Sequence, residues 1–269
     1  MTKVRIASFD IGKKNFAQYV EKVDMKKLNS AKKMYDSLSP SNKRRVKGPV
    51  TEDILDIFNK VYTSGTRIQT GVYDLRNDSE DKFDISTRKN IISHLDKYRY
   101  LWDKCDTVII EQQYFRTWSG YGKKNKGTEA NVDAIKIAEC VMTWFLTNYP
   151  DKEIMYFGSQ NKTQILGAPY SMTKIQRKKW AEEKIREIYT LREDKSMVDL
   201  FNLKDTIFRK RLNSEEKIME YINMYPKDNS KDCKKLVEKV VREKQKLDDI
   251  GDVCIQCQAY KFKKFVACF

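Results

Sequence analysis

The chain has 269 residues, enough for a substantial core in one large domain or two small ones. Its 53 Lys and Arg against 38 Asp and Glu leave a net charge of +15, which directs attention to polyanions, nucleic acid first, with a solvated Lys-rich surface as the alternative. No window approaches the roughly eighteen apolar residues of a membrane span and no secretory or transit peptide opens the chain, so it reads as intracellular, soluble and without a membrane partner.

The first stretch, KVRIASFDIGKKN, predicts a strand over Val4–Phe9 that runs into a tight turn at Gly12. Period-2 alternation puts Ile6, Ser8 and Asp10 on one face and Arg5, Ala7 and Phe9 on the other. Asp10 therefore stands at the strand's carboxyl end, the edge where open α/β sheets gather their active sites. An acid there, followed by Gly12 and then Lys13, Lys14 and Asn15, suits a metal ligand beside backbone that can approach phosphate. An Asp before a Gly is also a common turn residue.

Phe16–Val23 reads as a second strand, hairpin-paired with the first. Residues 24–70 turn helical and basic, broken by Pro40, Gly48 and Pro49, and read as an insertion in which Lys43, Arg44, Arg45 and Lys47 could meet phosphate or solvent. QTGVYDL, around Thr70–Leu75, predicts a third strand. Ser86–Asp103 has helical spacing in Ile91, Ile92, Leu95, Tyr98 and Leu101; His94 within it is assigned no role. DTVIIE, Asp106–Glu111, reads as a central buried strand ending in Glu111, and a charge there either escapes to solvent or has a ligand.

The loop that follows mixes Gly120, Gly122 and Gly127 with Arg116, Trp118, Tyr121, Lys123, Lys124 and Lys126, a composition suited to base stacking and phosphate contact, or to a Trp that caps the core. Val132–Tyr149 predicts an amphipathic helix ended by Pro150, Glu153–Phe157 a strand, and Thr173–Tyr189 a helix whose first half carries Lys174, Arg177, Lys178 and Lys179. Residues 190–232 are charged without clean periodicity and read as a second insertion. The last segment, Lys234–Phe265, is helical with a possible break near Lys246.

That segment contains KLDDIGDVCIQC. Asp249 and Asp252 are i,i+3 and Asp248 and Asp252 are i,i+4, so they share one helix face; Ile250, Val253, Cys254 and Cys257 lie toward the core. Gly251 costs about 1 kcal/mol relative to Ala in a helix interior, and predicts a close approach of the helix axis to the sheet. Of six cysteines only Cys254 and Cys257 have C-x-x-C spacing, and one distant histidine does not complete a zinc site, so free buried thiols are expected.

Holding Asp10, Glu111, Asp249 and Asp252 together needs cations to offset their repulsion. Oxygen-only ligands select Mg²⁺ or Mn²⁺, and two such ions about 4 Å apart are a device for phosphodiester hydrolysis.

The order S-F-D-I-G-K-K-N, I-I-E-Q-Q, S-x-x-K, R-K-K and K-x-D-D-x-x-D resembles the poxvirus-type Holliday junction resolvases and their fungal mitochondrial relatives, a RuvC-like branch of the ribonuclease H-like enzymes. The likeness covers the two ends and the middle, about half the chain, and not residues 24–70 or 190–232. It implies an α/β fold with a ribonuclease H-like mixed five-stranded sheet flanked by helices, a single nuclease domain over 1–269 with two mainly helical insertions. It implies four acids, Asp10, Glu111, Asp249 and Asp252, with Asp248 substituting or assisting, and two Mg²⁺ or Mn²⁺ ions per site. It also implies two basic catalytic residues, Lys162 in NKTQILG and Lys178 with Lys179 as rival, and a junction-contacting aromatic at Tyr114. The chain departs from the pattern at Gly251, often Ala in the family, and at Gln112, often Arg.

The implied activity is symmetric, metal-dependent cutting of four-way DNA junctions by a homodimer. DNA contacts are expected from Lys13, Lys14, Tyr114, Arg116, Trp118, Lys123, Lys124, Lys126, Lys174, Arg177 and Lys179. No nucleotide cofactor is expected. The place of action is a cytoplasmic viral factory, or else mitochondria. The alternatives are a flap or RNA–DNA hybrid nuclease on the same fold, a branched-DNA binding module without catalysis, and an actin-like phosphotransferase, which shares the D-I-G opening but needs a second Gly-rich loop.

Overall fold

A computed structural model of the chain describes residues 3–43, 50–76, 83–113, 132–158, 162–209 and 247–268. Five strands form one mixed sheet: β1 (Lys3–Asp10), β2 (Phe16–Asp24), β3 (Gly65–Tyr73), β4 (Thr107–Gln112) and β5 (Glu153–Gly158), in the order β3-β2-β1-β4-β5. The pairs β1–β2 and β2–β3 are antiparallel, while β4 runs parallel to β1 and β5 parallel to β4. Helices flank both faces, so the protein is α/β, and this sheet order with these directions is the one expected of a ribonuclease H-like fold.

Alternation along the central strands builds a core on each face. Ile6 and Ile109 point to one side, with α1 (Met25–Ser37), α2 (Glu52–Thr63), α7 (Lys174–Leu191), α8 (Lys195–Arg209) and α9 (Leu247–Lys261). Ala7, Phe9, Val108 and Ile110 point to the other, with α3 (Ile85–Lys97), α4 (Arg99–Trp102) and α5 (Val132–Asn148). Ser8, Asp10 and Glu111 share the parity of Ile6 and Ile109, and so face α9. A further short helix, α6 (Lys162–Ile165), follows β5.

Local signals set the helix starts. Asp24, Thr51 and Asp84 each accept a backbone N–H in the first turn of α1, α2 and α3, and Thr173 with Gln176 forms a capping box on α7. At Gly12 an added Cβ would lie 2.9 Å from the Asn15 carbonyl oxygen, which is why this turn takes glycine.

Four expectations change in detail. β3 begins at Gly65, within the stretch read as helical, because an edge strand with polar residues such as Thr66, Arg67 and Gln69 lacks an apolar run. The helix expected over Ser86–Asp103 divides at Tyr98 into α3 and α4. The charged stretch after 190 contains α8, whose Met197, Leu200 and Phe201 are buried. Gly251 approaches α7 rather than the sheet: its Cβ would stand 3.7 Å from Ile185 and 3.8 Å from the Ala181 carbonyl, ordinary contact distances.

In α9, Ile250, Val253, Cys254 and Cys257 are buried as the pattern requires, and the thiols of Cys105, Cys140, Cys254, Cys257 and Cys268 are free. Cys233 lies outside the described residues. From Phe262 to Ala267 the chain continues as a π-helical turn.

A buried charged cluster secures the carboxyl end of α9. Glu21 of β2 accepts from Lys261 at 2.8 Å, Arg192 at 3.0 Å, the Tyr19 hydroxyl at 2.8 Å and Gln258 at 3.2 Å. Lys261 also donates to the Val61 carbonyl, and Arg192 to the Tyr62 carbonyl, tying α2 and α7 into the same cluster. Burial acts to raise the Glu21 pKa, but the two cations outweigh it and bring it down to about 2.

Candidate active site

Register brings the first two acids together. Phe9 pairs with Ile110 across the parallel β1–β4 ladder, so the next rung sets Asp10 beside Glu111. Burial, followed by the neighbouring Glu111 charge, holds the Asp10 carboxyl well above the usual range. Glu111, 9% exposed, also accepts from Gln113 at 2.9 Å. Burial would raise its pKa too; Lys162 and the surrounding hydrogen bonds overcome that and lower it.

Lys162 enters from α6, beyond the carboxyl end of β5. Its ammonium, 7% exposed as a residue, lies 3.1 Å from Glu111 and 3.6 Å from Asp252. Burial opposes its charge, but Glu111, Asp252 and Asp10 together keep it protonated and raise its pKa. On the outer side Lys178 of α7 pairs with Asp248, which raises the lysine pKa against partial burial, with added pull from Asp249 and Asp252. One oxygen of Asp249 is shielded from solvent.

The structure thus gathers Asp10, Glu111, Asp248, Asp249, Asp252, Lys162 and Lys178 at one sheet edge. Lys179, the rival of Lys178, points away, 79% exposed and paired with Glu183. Lys13 is drawn into a 3.1 Å pair with Asp133 of α5, while Lys14 and Arg177 are exposed. Tyr114, Arg116, Trp118, Lys123, Lys124 and Lys126 lie outside the described residues, as do Arg44, Arg45, Lys47 and the Lys174 side chain. His94 bonds Gln18 at 2.8 Å within an aromatic cluster, away from the acids.

Gln113 is the contact that sequence reasoning missed. Two residues beyond Glu111 in the I-I-E-Q-Q run, it had the parity to reach the same side, and that alternation was a usable signal.

Among the described residues, no three His, Cys, Asp or Glu side chains are spaced to hold a metal ion as they stand. The donor chemistry nonetheless fits a hard divalent cation. Every candidate ligand is a carboxylate oxygen, acids outnumber bases five to two, and the Lys162 ammonium stands between Glu111 and Asp252 where positive charge is required.

No protein-family model matches the chain. It is similar to uncharacterized protein 97L of Invertebrate iridescent virus 3, with 28% identity over 206 residues covering 69% of this chain and 85% of that protein. It is similar also to uncharacterized protein 170L of Invertebrate iridescent virus 6, with 24% identity over 263 residues covering 96% of this chain and 89% of that protein. Among solved structures, Thermus thermophilus RuvC overlaps 67% of this chain and 79% of its own, at 12% identity and a TM-score of 0.37. The fold assignment therefore rests on the sheet order and strand directions themselves, and the relatives by sequence are viral proteins.

Proposed function

We propose that the protein is a metal-dependent endonuclease that acts on branched DNA, with the four-way junction as its substrate. The observation that carries this reading is the meeting of Asp10, Glu111 and Asp252 around Lys162 at the carboxyl edge of the parallel strands. Asp10, Glu111, Asp249 and Asp252 would hold Mg²⁺ or Mn²⁺, with Asp248 steadied by Lys178. When bound, such ions polarise a phosphodiester and activate water for attack on it.

The chain's own groups set the stage for that chemistry. Lys162 keeps a fixed positive charge in the buried half of the site, where low dielectric strengthens its pull on the charge that builds on a scissile phosphate. Gln113 orients the second oxygen of Glu111. Lys178, Arg177 and Lys14 offer positive charge toward solvent, where the DNA backbone would lie. A homodimer would match the two-fold symmetry of a four-way junction. The viral relatives fit action in a cytoplasmic viral factory.

The test is parallel cutting of a four-way junction, a flap and an RNA–DNA hybrid in Mg²⁺, with sedimentation to measure the dimer. Paired nicks confined to the junction are expected; preference for the flap or hybrid assigns a different substrate to the same site. The ion pairs of Lys162 and Lys178 with the acids also favour a second reading, a branched-DNA binding module that neutralises its acids internally. Junction binding with no nicking in either Mg²⁺ or Mn²⁺ would select it.

A further inference from the structure

Asp249, Asp252 and Gln256 follow one another at i, i+3 and i+7, so they share a face of α9. Helical side chains lean toward the amino end, which lays the Gln256 side chain over the turn that bears Asp252. On β1, Ser8 and Asp10 share the facing side. A polar layer thus lies directly under the carboxylates. Ser8 Oγ donates to the Val253 carbonyl at 3.0 Å, and Gln256 Nε2 reaches Ser8 Oγ at 3.2 Å and the Phe9 carbonyl at 3.1 Å. Ser8 and Gln256 are fully buried, and Gln256 Oε1 has no hydrogen-bond partner among the described residues.

An apolar pair would fill this space without leaving a buried amide oxygen unpaired, a cost of about 1–3 kcal/mol. What the polar pair supplies is direction. The Phe9 carbonyl belongs to the peptide unit that begins Asp10, so the Gln256 bond fixes that peptide's tilt against the helix carrying Asp252. Ser8 fixes the height of the same helix through Val253. Apolar packing alone allows a helix to slide or turn by fractions of an ångström, whereas three directional bonds do not.

We infer that Ser8 and Gln256 are positioning residues that set the reach between Asp10 on β1 and Asp249 and Asp252 on α9. This deepens the nuclease reading and rests on it. Their effect is exerted on cation affinity, through the carboxylates they hold in place.

The test measures Mn²⁺ binding to the full chain by electron paramagnetic resonance, without DNA, for wild type, Asp10→Asn, Gln256→Met, Ser8→Ala and Gln258→Met. Gln258 is equally buried on α9 but bonds Glu21, so its variant controls for general loss of stability. Wild type should bind Mn²⁺ and Asp10→Asn should lose it. Gln256→Met and Ser8→Ala should each weaken binding about ten-fold, the usual effect of removing an outer partner of a ligand. Gln258→Met should bind as wild type does, and raised Mn²⁺ should restore nicking by Gln256→Met. Absence of Mn²⁺ binding by wild type overturns the nuclease reading and the inference with it. Binding that Asp10→Asn abolishes but neither Gln256→Met nor Ser8→Ala alters, or that Gln258→Met weakens equally, overturns the inference alone. Should Gln256→Met fail to fold, Ser8→Ala decides the matter by itself.

Discussion

Two carboxylates side by side at the ends of neighbouring strands are unfavourable company. Burial and the Glu111 charge both act to keep Asp10 from ionising. Asp10→Asn therefore should stabilise the cation-free protein by about 1 kcal/mol or more while abolishing nicking, the trade expected where a site is held together at the expense of stability. Thermal melting in chelator, beside a nicking assay, checks both halves. A similar contrast applies to the two adjacent lysines. Lys178→Ala should slow nicking by ten-fold or more, an effect on the order of 1.4 kcal/mol, whereas Lys179→Ala should change it little, because only Lys178 reaches the acids.

Away from the site, Glu21 sets a pH limit on the fold. Its carboxylate pKa is depressed from 4.5 to about 2 by Lys261 and Arg192 acting against burial. A depressed folded-state pKa contributes stability that is complete above the unfolded value and lost as pH falls through the folded one, here from about pH 4.5 toward 2, on the order of 3 kcal/mol. Denaturant midpoints measured down that window should fall steeply for wild type and less steeply for Glu21→Gln. At neutral pH the variant should be less stable by about 3–5 kcal/mol, since it leaves buried cations without their counter-charge. An equal pH slope in both proteins would remove Glu21 from this role.

At the scale of elements, α9 does two jobs. Its first turns carry Asp248, Asp249 and Asp252, and its last residues, Gln258 and Lys261, enter the Glu21 cluster. Gly251 lies between the two with room for a methyl group against Ile185. Gly251→Ala should then stabilise the protein by about 0.5–1 kcal/mol with nicking retained, through helix propensity and the unfolded chain; a loss of stability would mean that α7 and α9 pack more tightly than these contacts allow.

The elements differed in how plainly the sequence announced them. β1, β2, β4 and β5 were readable from alternation and β-branched runs, and α5 from its apolar stripe and Pro150. The first half of the edge strand β3, before Thr70, and the helix α8 were hidden by their polar residues. Asp10 and Glu111 stood out because each ends a buried strand, and the acids of α9 because of their spacing. The burial of Lys162, and the meeting of residues 21, 192 and 261, depend on chain segments that come together only in the fold, and no local pattern encodes them.

For the whole molecule, the +15 charge must be read together with its arrangement. Some lysines are spent internally: Lys261 and Lys162 are buried and Lys13 is paired with Asp133. The exposed remainder, Lys14 and Arg177 among them, is available to phosphate. Junction affinity should accordingly fall by about 10³-fold or more between 50 and 200 mM salt if six or more phosphates are contacted, which fluorescence anisotropy can follow; a flat salt response would argue that the charge is only a solubilising surface.

If acids from β1, β4 and α9 work as one site, losing any one of them stops the reaction. A synthetic four-way junction is incubated with Mg²⁺ and wild type, Asp10→Asn, Glu111→Gln or Asp252→Asn. Paired nicks are expected from wild type alone, with all three variants still binding the junction. Undiminished cutting by the variants would contradict a single shared site.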